Sequence, residues 1–333
     1  MKKFLWILSL AALLSLALGP AALAAEAKRP LPKDLKYPPI SVKTPKVADI
    51  RLDCGLEGFL VEDHEIPVVD VVLLVKTYFP ERGKYGLSDM AQWAIRNGGT
   101  AQWPADKLND ELEFLAASVE VYGDDLSTQI AFNCLKKDLP QVLAIFADLV
   151  RNPAFPDDKV ELKRKTMLEA IRRQNDEPNG VARREFMKRV WGVHPYGWVE
   201  TAGSVNAITR DDLAAFHQKY FHPNNAILGV SGDITPAEAV AAMNQVFAGW
   251  VKADVAIPKV PAVPALLATN YNYAFRDINQ AYMLIGHLGI NASNPDRPAV
   301  NVMNYILGGG SFTSWITEKV RSDEGLAYST GSR

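Results

Sequence analysis

The stretch GLSDMAQWAIRNGGT, residues 86–100, carries two superimposed patterns. Leu87, Ala91, Ala94 and Ile95 recur at helical spacing and make one apolar stripe, a face for a core. Asp89, Gln92, Trp93 and Arg96 fall on another stripe, because side chains three and four residues apart share a helix face. Gly98 and Gly99 then stop the helix. Just before it, Val68 to Val75 (VVDVVLLV) is β-branched and almost continuously apolar, which predicts a central strand.

Working outward, a second helix is expected from about Ala105, then strands at Ala117 to Tyr122 and Ser127 to Leu135 that can pair with each other. Helices are expected near Leu139 to Val150, Asp157 to Asn175 and Val181 to Val190. Thr209 with Asp212, and Thr235 with Glu238, fit capping boxes at two further helix starts, the latter with Pro236 at the first helical position. Between those helices NNAILGVSGD reads as a strand ending at Gly232. Residues 252–266, with Pro258, Pro261 and Pro264, read as a linker between domains.

Beyond the linker the pattern returns. Gln280 to Gly310 gives a strand (AYMLIGHLGI), a polar loop, a helix from Arg297 to Leu307 and a glycine turn, in the order of Val72 to Gly99. Ser314 to Asp323 matches the second helix, and GLAYST matches LAASVEVY. This is a duplicated domain of class α+β, each copy a mainly antiparallel sheet covered by helices, with the second copy truncated at Arg333. The expected divisions are a first domain at 48–251, the linker at 252–266 and the start of a second domain at 267–333.

The chain has 333 residues, 48% hydrophobic, with a net charge of -2. That length supports a large core in more than one domain, and the absence of a basic excess argues against nucleic acid as a partner. Lys2, Lys3, the apolar run Phe4 to Leu18 and the small-residue site Ala22-Leu23-Ala24 make residues 1–24 a secretory signal peptide by pattern, with a proline-rich lead at 25–47. No cysteine follows that site to accept a lipid, so the expectation is a secreted, periplasmic protein without a stable membrane anchor after cleavage. Cys54 and Cys134 could pair in an oxidising compartment, though two cysteines make no disulfide framework. None of the five histidines is spaced from another as metal ligands on a helix are, so each reads as a surface or packing residue.

The helix at 86–100, together with LVRNPAFP, HPYG, the VSGD strand end and ILGGGSF…VRSDEGLAYS, resembles the insulinase/pitrilysin family of zinc metallopeptidases over roughly Ile50 to Tyr328. In that family the helix carries the inverted motif H-x-x-E-H, two zinc-binding histidines and a glutamate that activates the metal's water. Here those positions hold Asp89, Gln92 and Trp93, and the family's spacing to a third ligand arrives at Ala170. Neighbouring Glu169 is turned by about 100° around the helix and cannot simply replace it. The resemblance therefore implies no intact catalytic residues and no metal in this chain, with the Trp93 indole filling the volume that metal and water would take.

The family's second half supplies an arginine and a tyrosine that contact bound peptide, and Arg321 and Tyr328 match them, whereas the family's frequent arginine after F-[ST]-S is replaced by Trp315. A guanidinium can donate to peptide carbonyls and a phenol can assist an oxyanion; the alternative is a surface arginine paired with Glu318 or Glu324 and ordinary packing of the tyrosine. Bacterial members include paired subunits, one with H-x-x-E-H and one without ligands but with the Arg/Tyr pair. The resemblance implies the second kind, inactive alone, holding peptide substrates and completing a chamber with a homologous partner that carries H-x-x-E-H and the zinc. A scaffold or peptide-binding protein of the same fold is the alternative. An active peptidase is disfavoured, since a neutral Gln92 cannot take a proton from water.

Overall fold

A computed structural model describes residues 35, 44–79, 82–259, 261–263 and 268–333. The chain divides into Met1–Pro45 and Lys46–Arg333, and every element below belongs to the second unit. The expected signal peptide, most of the proline-rich lead and part of the linker lie outside the described residues.

The strands are β1 (Val47–Arg51), β2 (Glu57–Glu62), β3 (Val68–Lys76), β4 (Ser118–Gly123), β5 (Ser127–Leu135) and β6 (Ala226–Gly232). They form one sheet in the order β1-β2-β6-β3-β5-β4. All pairings are antiparallel except β2 with β6. The helices are α1 (Leu87–Gly98), α2 (Ala105–Phe114), α3 (Leu139–Arg151), α4 (Asp157–Arg173), α5 (Pro178–Trp191), α6 (Ala202–Asn206), α7 (Arg210–Tyr220), α8 (Pro236–Val246) and α9 (Arg297–Asn304).

β3 is central, as its composition predicts, with Leu73 facing Ile130 of β5 and Leu228 of β6. Its burial nevertheless alternates: Val69, Val71, Leu73 and Val75 are sealed, while Asp70 points away and meets Asn133 across the strands. An antiparallel sheet can pack one face and leave the other half-open, which a run of apolar letters does not reveal. The packed face carries α1, α3, α7 and α8 around Phe146 and Phe247. Thr209 and Thr235 do cap α7 and α8 through boxes closed by Asp212 and Glu238.

Two readings are corrected and one left open is decided. β1 and β2 are strands not expected from the sequence; they are short, with β1 at the sheet's edge and β2 beside it, and only Ile50, Gly58 and Leu60 are buried there. Cys54 and Cys134 are both free, and Cys134, buried in β5, has its thiol pushed up to about 12, chiefly by burial. Neither the strand expected from AYMLIGHLGI nor the one from GLAYST forms: among the described residues, 251–296 and 324–333 hold no helix or strand. An isolated strand leaves its backbone N–H and C=O groups to water, so it needs neighbours that residues 268–333 do not supply. The helices of that region do form, as α9 and, with wider turns, Tyr305–Gly309 and Thr317–Asp323.

Candidate functional site

α1 begins at Gly86, whose φ of 98° is left-handed and whose missing side chain leaves room for Met167 of α4 and Glu200. Its apolar stripe is buried as expected: Leu87, Ala91, Ala94 and Ile95, with Met90, all pack into the core. The second stripe divides: Asp89 and Gln92 border a cavity, whereas Arg96 turns onto the sheet. Gln92 is 5% exposed. Its Nε2 donates to the carbonyl of Asp124 (2.9 Å), to Thr128 Oγ1 (3.1 Å) and to the Ser127 carbonyl (3.4 Å), so the amide pins the β4–β5 turn. Arg96 turns onto β4, donating from Nε to the Val119 carbonyl at 2.5 Å and from Nη1 to Asn109.

Asp89 remains half-exposed and pairs with Lys163 of α4, Nζ to Oδ2 at 2.8 Å. Lys163 lies two turns before Ala170 on the same face of α4, so the helix expected to offer a ligand offers a cation instead. Ala170 is exposed, and Glu169 is turned away to Arg172 and Arg173, as the one-residue offset requires. Asp89 alone of the four motif positions could bind zinc, and Lys163 already competes for it. Among the described residues no three His, Cys, Asp or Glu side chains gather in a metal-holding arrangement. The residues present do not fit a catalytic zinc.

Trp93 is not among the residues that line the space next to Asp89 and Gln92. It is half-buried against the core, and beside it a cavity of about 230 Å³ is lined by Tyr85, Gly86, Ser88, Asp89, Gln92, Gly123, Asp124, Asp125, Pro195, Trp198 and Glu200. The carboxylate of Asp124 is spent on its own turn, accepting from the backbone N–H of Leu126 and Ser127. Burial pushes the carboxyl of Asp125 above the usual range; Ser88 opposes that rise, and Asp124 and Asp89 add to it. Burial and then the charge of Asp89 push Glu200 up in the same way, with Lys163 opposing.

The HPYG segment builds one wall of this cavity. His194, 1% exposed, accepts at Nδ1 from the Tyr196 backbone N–H at 3.2 Å and stacks among Trp191 and Tyr196. This arrangement carries Pro195 and Trp198 to the cavity, where the Trp198 ring lies 4.7 Å from that of Tyr85. Asp125, Glu200, Ser88 and Lys163 were not anticipated from sequence. Only Lys163 left a usable signal there, sitting on the same helix face as Ala170.

Arg321 and Tyr328 are brought together. Arg321 Nη1 donates to the Tyr328 carbonyl at 3.0 Å, and the guanidinium lies between the Phe312 ring (4.4 Å) and the Tyr328 ring (4.3 Å). The Tyr328 side chain is exposed and is not on a strand, contrary to expectation, and neither residue lines the cavity beside Asp89. No ion pair joins Arg321 to Glu318 or Glu324; Lys319 takes Glu324.

The family model described as "Insulinase (Peptidase family M16)" matches residues 78–198, and "Peptidase M16 inactive domain" matches residues 207–333. An uncharacterized zinc protease of Mycobacterium leprae is 29% identical over 234 residues, 66% of this chain and 51% of that protein. A Helicobacter pylori protein described as a non-peptidase homolog, YmxG, is 25% identical over 278 residues, 80% of this chain and 62% of that protein. The chain thus spans roughly half to two thirds of these relatives. The crystal structure of a peptidase M16 inactive domain from Pseudomonas fluorescens superposes with a TM-score of 0.71 at 25% identity, covering 85% of this chain and 69% of that one. With the two models matching in order on either side of α6, the chain belongs to the insulinase family, peptidase family M16.

Proposed function

We propose that the chain is the non-catalytic, substrate-holding part of an exported zinc metallopeptidase, enclosing a chamber together with a homologous partner that bears H-x-x-E-H and the zinc. The observation that carries this reading is the ion pair of Asp89 with Lys163 where a metal ligand would stand, beside a Gln92 whose amide is committed to the β4–β5 turn. A cation held against the first motif position opposes a second cation there, and an amide cannot serve as general base. In this reading Arg321 and Tyr328 hold extended peptide in the partner's chamber, and the chain works in the periplasm after removal of residues 1–24.

One observation favours the scaffold alternative. The Arg321 guanidinium is already engaged by Tyr328 and Phe312 of its own chain, so a peptide must compete for it. Purifying the full chain from its host and assaying peptide cleavage with whatever accompanies it tests both. A near-stoichiometric companion with H-x-x-E-H, whose cleavage falls at least about tenfold with Arg321→Ala or Tyr328→Ala, supports the substrate-holding reading. Tolerance of both substitutions would give way to the scaffold, and stoichiometric zinc with cleavage by this chain alone would sink both.

A further inference from the structure

The cavity beside Asp89 has a chemistry of its own. Lys163 answers the charge of Asp89, and Asp124 is held by its turn, but among the described residues neither Asp125 nor Glu200 stands in an ion pair with a basic side chain. The Glu200 carboxyl sits 3.2 Å from the point a Cβ on Gly86 would occupy, so it lies over the start of α1 inside the cavity. Ser88 lines the same space at 2% exposure, and its Oγ is sealed without a hydrogen-bond partner. It stands near enough to Asp125 to influence that carboxyl, yet the approach falls short of hydrogen-bond geometry. Two half-buried carboxylates without an ion-pair partner and an orphaned hydroxyl in one cavity are costly unless something cationic completes them.

The shape and walls say what kind of cation. About 230 Å³ lies below the ~300–1,000 Å³ of pockets that take whole small molecules, and suits a single side chain. The paired rings of Tyr85 and Trp198 offer an apolar wall for an aliphatic stem and π faces for its charged end. A hydrated metal ion would want oxygen ligands converging at metal distances, and these carboxylates are not so gathered. Glu200 also borders a second recess of about 400 Å³, along Gln174, Arg184 and Thr201, which gives a continuing chain somewhere to run.

We propose that this cavity binds one lysine or arginine side chain of an extended peptide, with Asp125 and Glu200 accepting from its ammonium or guanidinium, Ser88 completing the floor, and Tyr85 and Trp198 lining its stem. The proposal rests on the substrate-holding reading only in taking a peptide as the ligand. The degenerate helix is then a recognition site for a basic residue. The raised carboxyls of Asp125 and Glu200 agree with an anionic pair lacking its counter-ion.

Binding to the purified full chain, without any partner, tests it. The probes are N-acetylated, C-amidated decapeptides of alanine and serine with one central arginine, lysine or norleucine, titrated by calorimetry and by tryptophan fluorescence. The arginine and lysine peptides should bind at least about tenfold more tightly than the norleucine peptide, the worth of one charge-assisted hydrogen bond. That advantage should vanish in Asp125→Asn/Glu200→Gln, which should melt no lower than the parent because it removes buried like charges. Equal affinities for the three peptides, an advantage that survives the double substitution, or selective Ca²⁺ or Zn²⁺ binding abolished by it would overturn the proposal. Tolerance of Arg321→Ala and Tyr328→Ala in the partner's cleavage would overturn the substrate-holding reading while leaving this cavity's preference intact, so the two failures are separable.

Discussion

The region from Val47 to Val246 and the region from Gln280 to Arg333 carry the same order of apolar run, loop, helix and glycines, and only the first becomes a sheet domain. β3 lies between β5 and β6, with Leu73 sealed. In the later region Ile285 is 89% exposed and α9 buries none of its residues. Helices persist in both because their hydrogen bonds close within a few residues. Strands persist only in the first, because the partners of β3 come from elements far along the chain. Periodicity states what a segment can do, and neighbours decide whether it does it.

The largest effect that could break this contrast is in the two apolar runs themselves. Leu73→Ala should cost about 4 kcal/mol in urea denaturation, whereas Ile285→Ala should stay within about 0.5 kcal/mol. Comparable losses at both positions would mean that the later run is packed after all.

Acid should act on the first region next. His217 donates from Nε2 to the Val150 carbonyl at 2.8 Å, and burial lowers its pKa from 6.5 to about 4. Because the folded value lies below the unfolded one, the unfolded chain binds more protons between those limits. The contribution is therefore whole above pH 6.5 and is lost as pH falls to about 4, on the order of 3 kcal/mol. Denaturation midpoints measured across that window should show the slope, and His217→Gln should flatten it.

Gln92→Leu should cost about 2 kcal/mol, since it strips donors from the carbonyls of the β4–β5 turn, and should raise amide exchange from Gly123 to Thr128. A neutral result would remove the structural explanation for glutamine at that position. The smallest contrast is between helix starts. Thr235→Ala should cost α8 about 1 kcal/mol, whereas Asp296→Ala, at a start of α9 that has no side-chain cap, should leave the melting temperature unchanged.

The sequence by itself determined the α+β class, β3 as the centre of the sheet, the helix stripe of Leu87, Ala91, Ala94 and Ile95, and two capping boxes, because each follows from local periodicity or from hydrogen bonds spanning three residues. It also singled out Asp89, Gln92, Trp93 and Ala170, because those positions are reached by counting along the chain. Only the tertiary structure decided what stands around them. Lys163 meets Asp89 because α4 crosses α1, and Gln92 reaches a turn more than thirty residues away, too far for any local pattern to record. Asp125 and Glu200 come from a hairpin tip and from the end of the HPYG loop, and share a cavity only because the start of α1 lies between them. Spacing along the chain carries no trace of such a meeting, because the contacts that create it form only when the whole core closes.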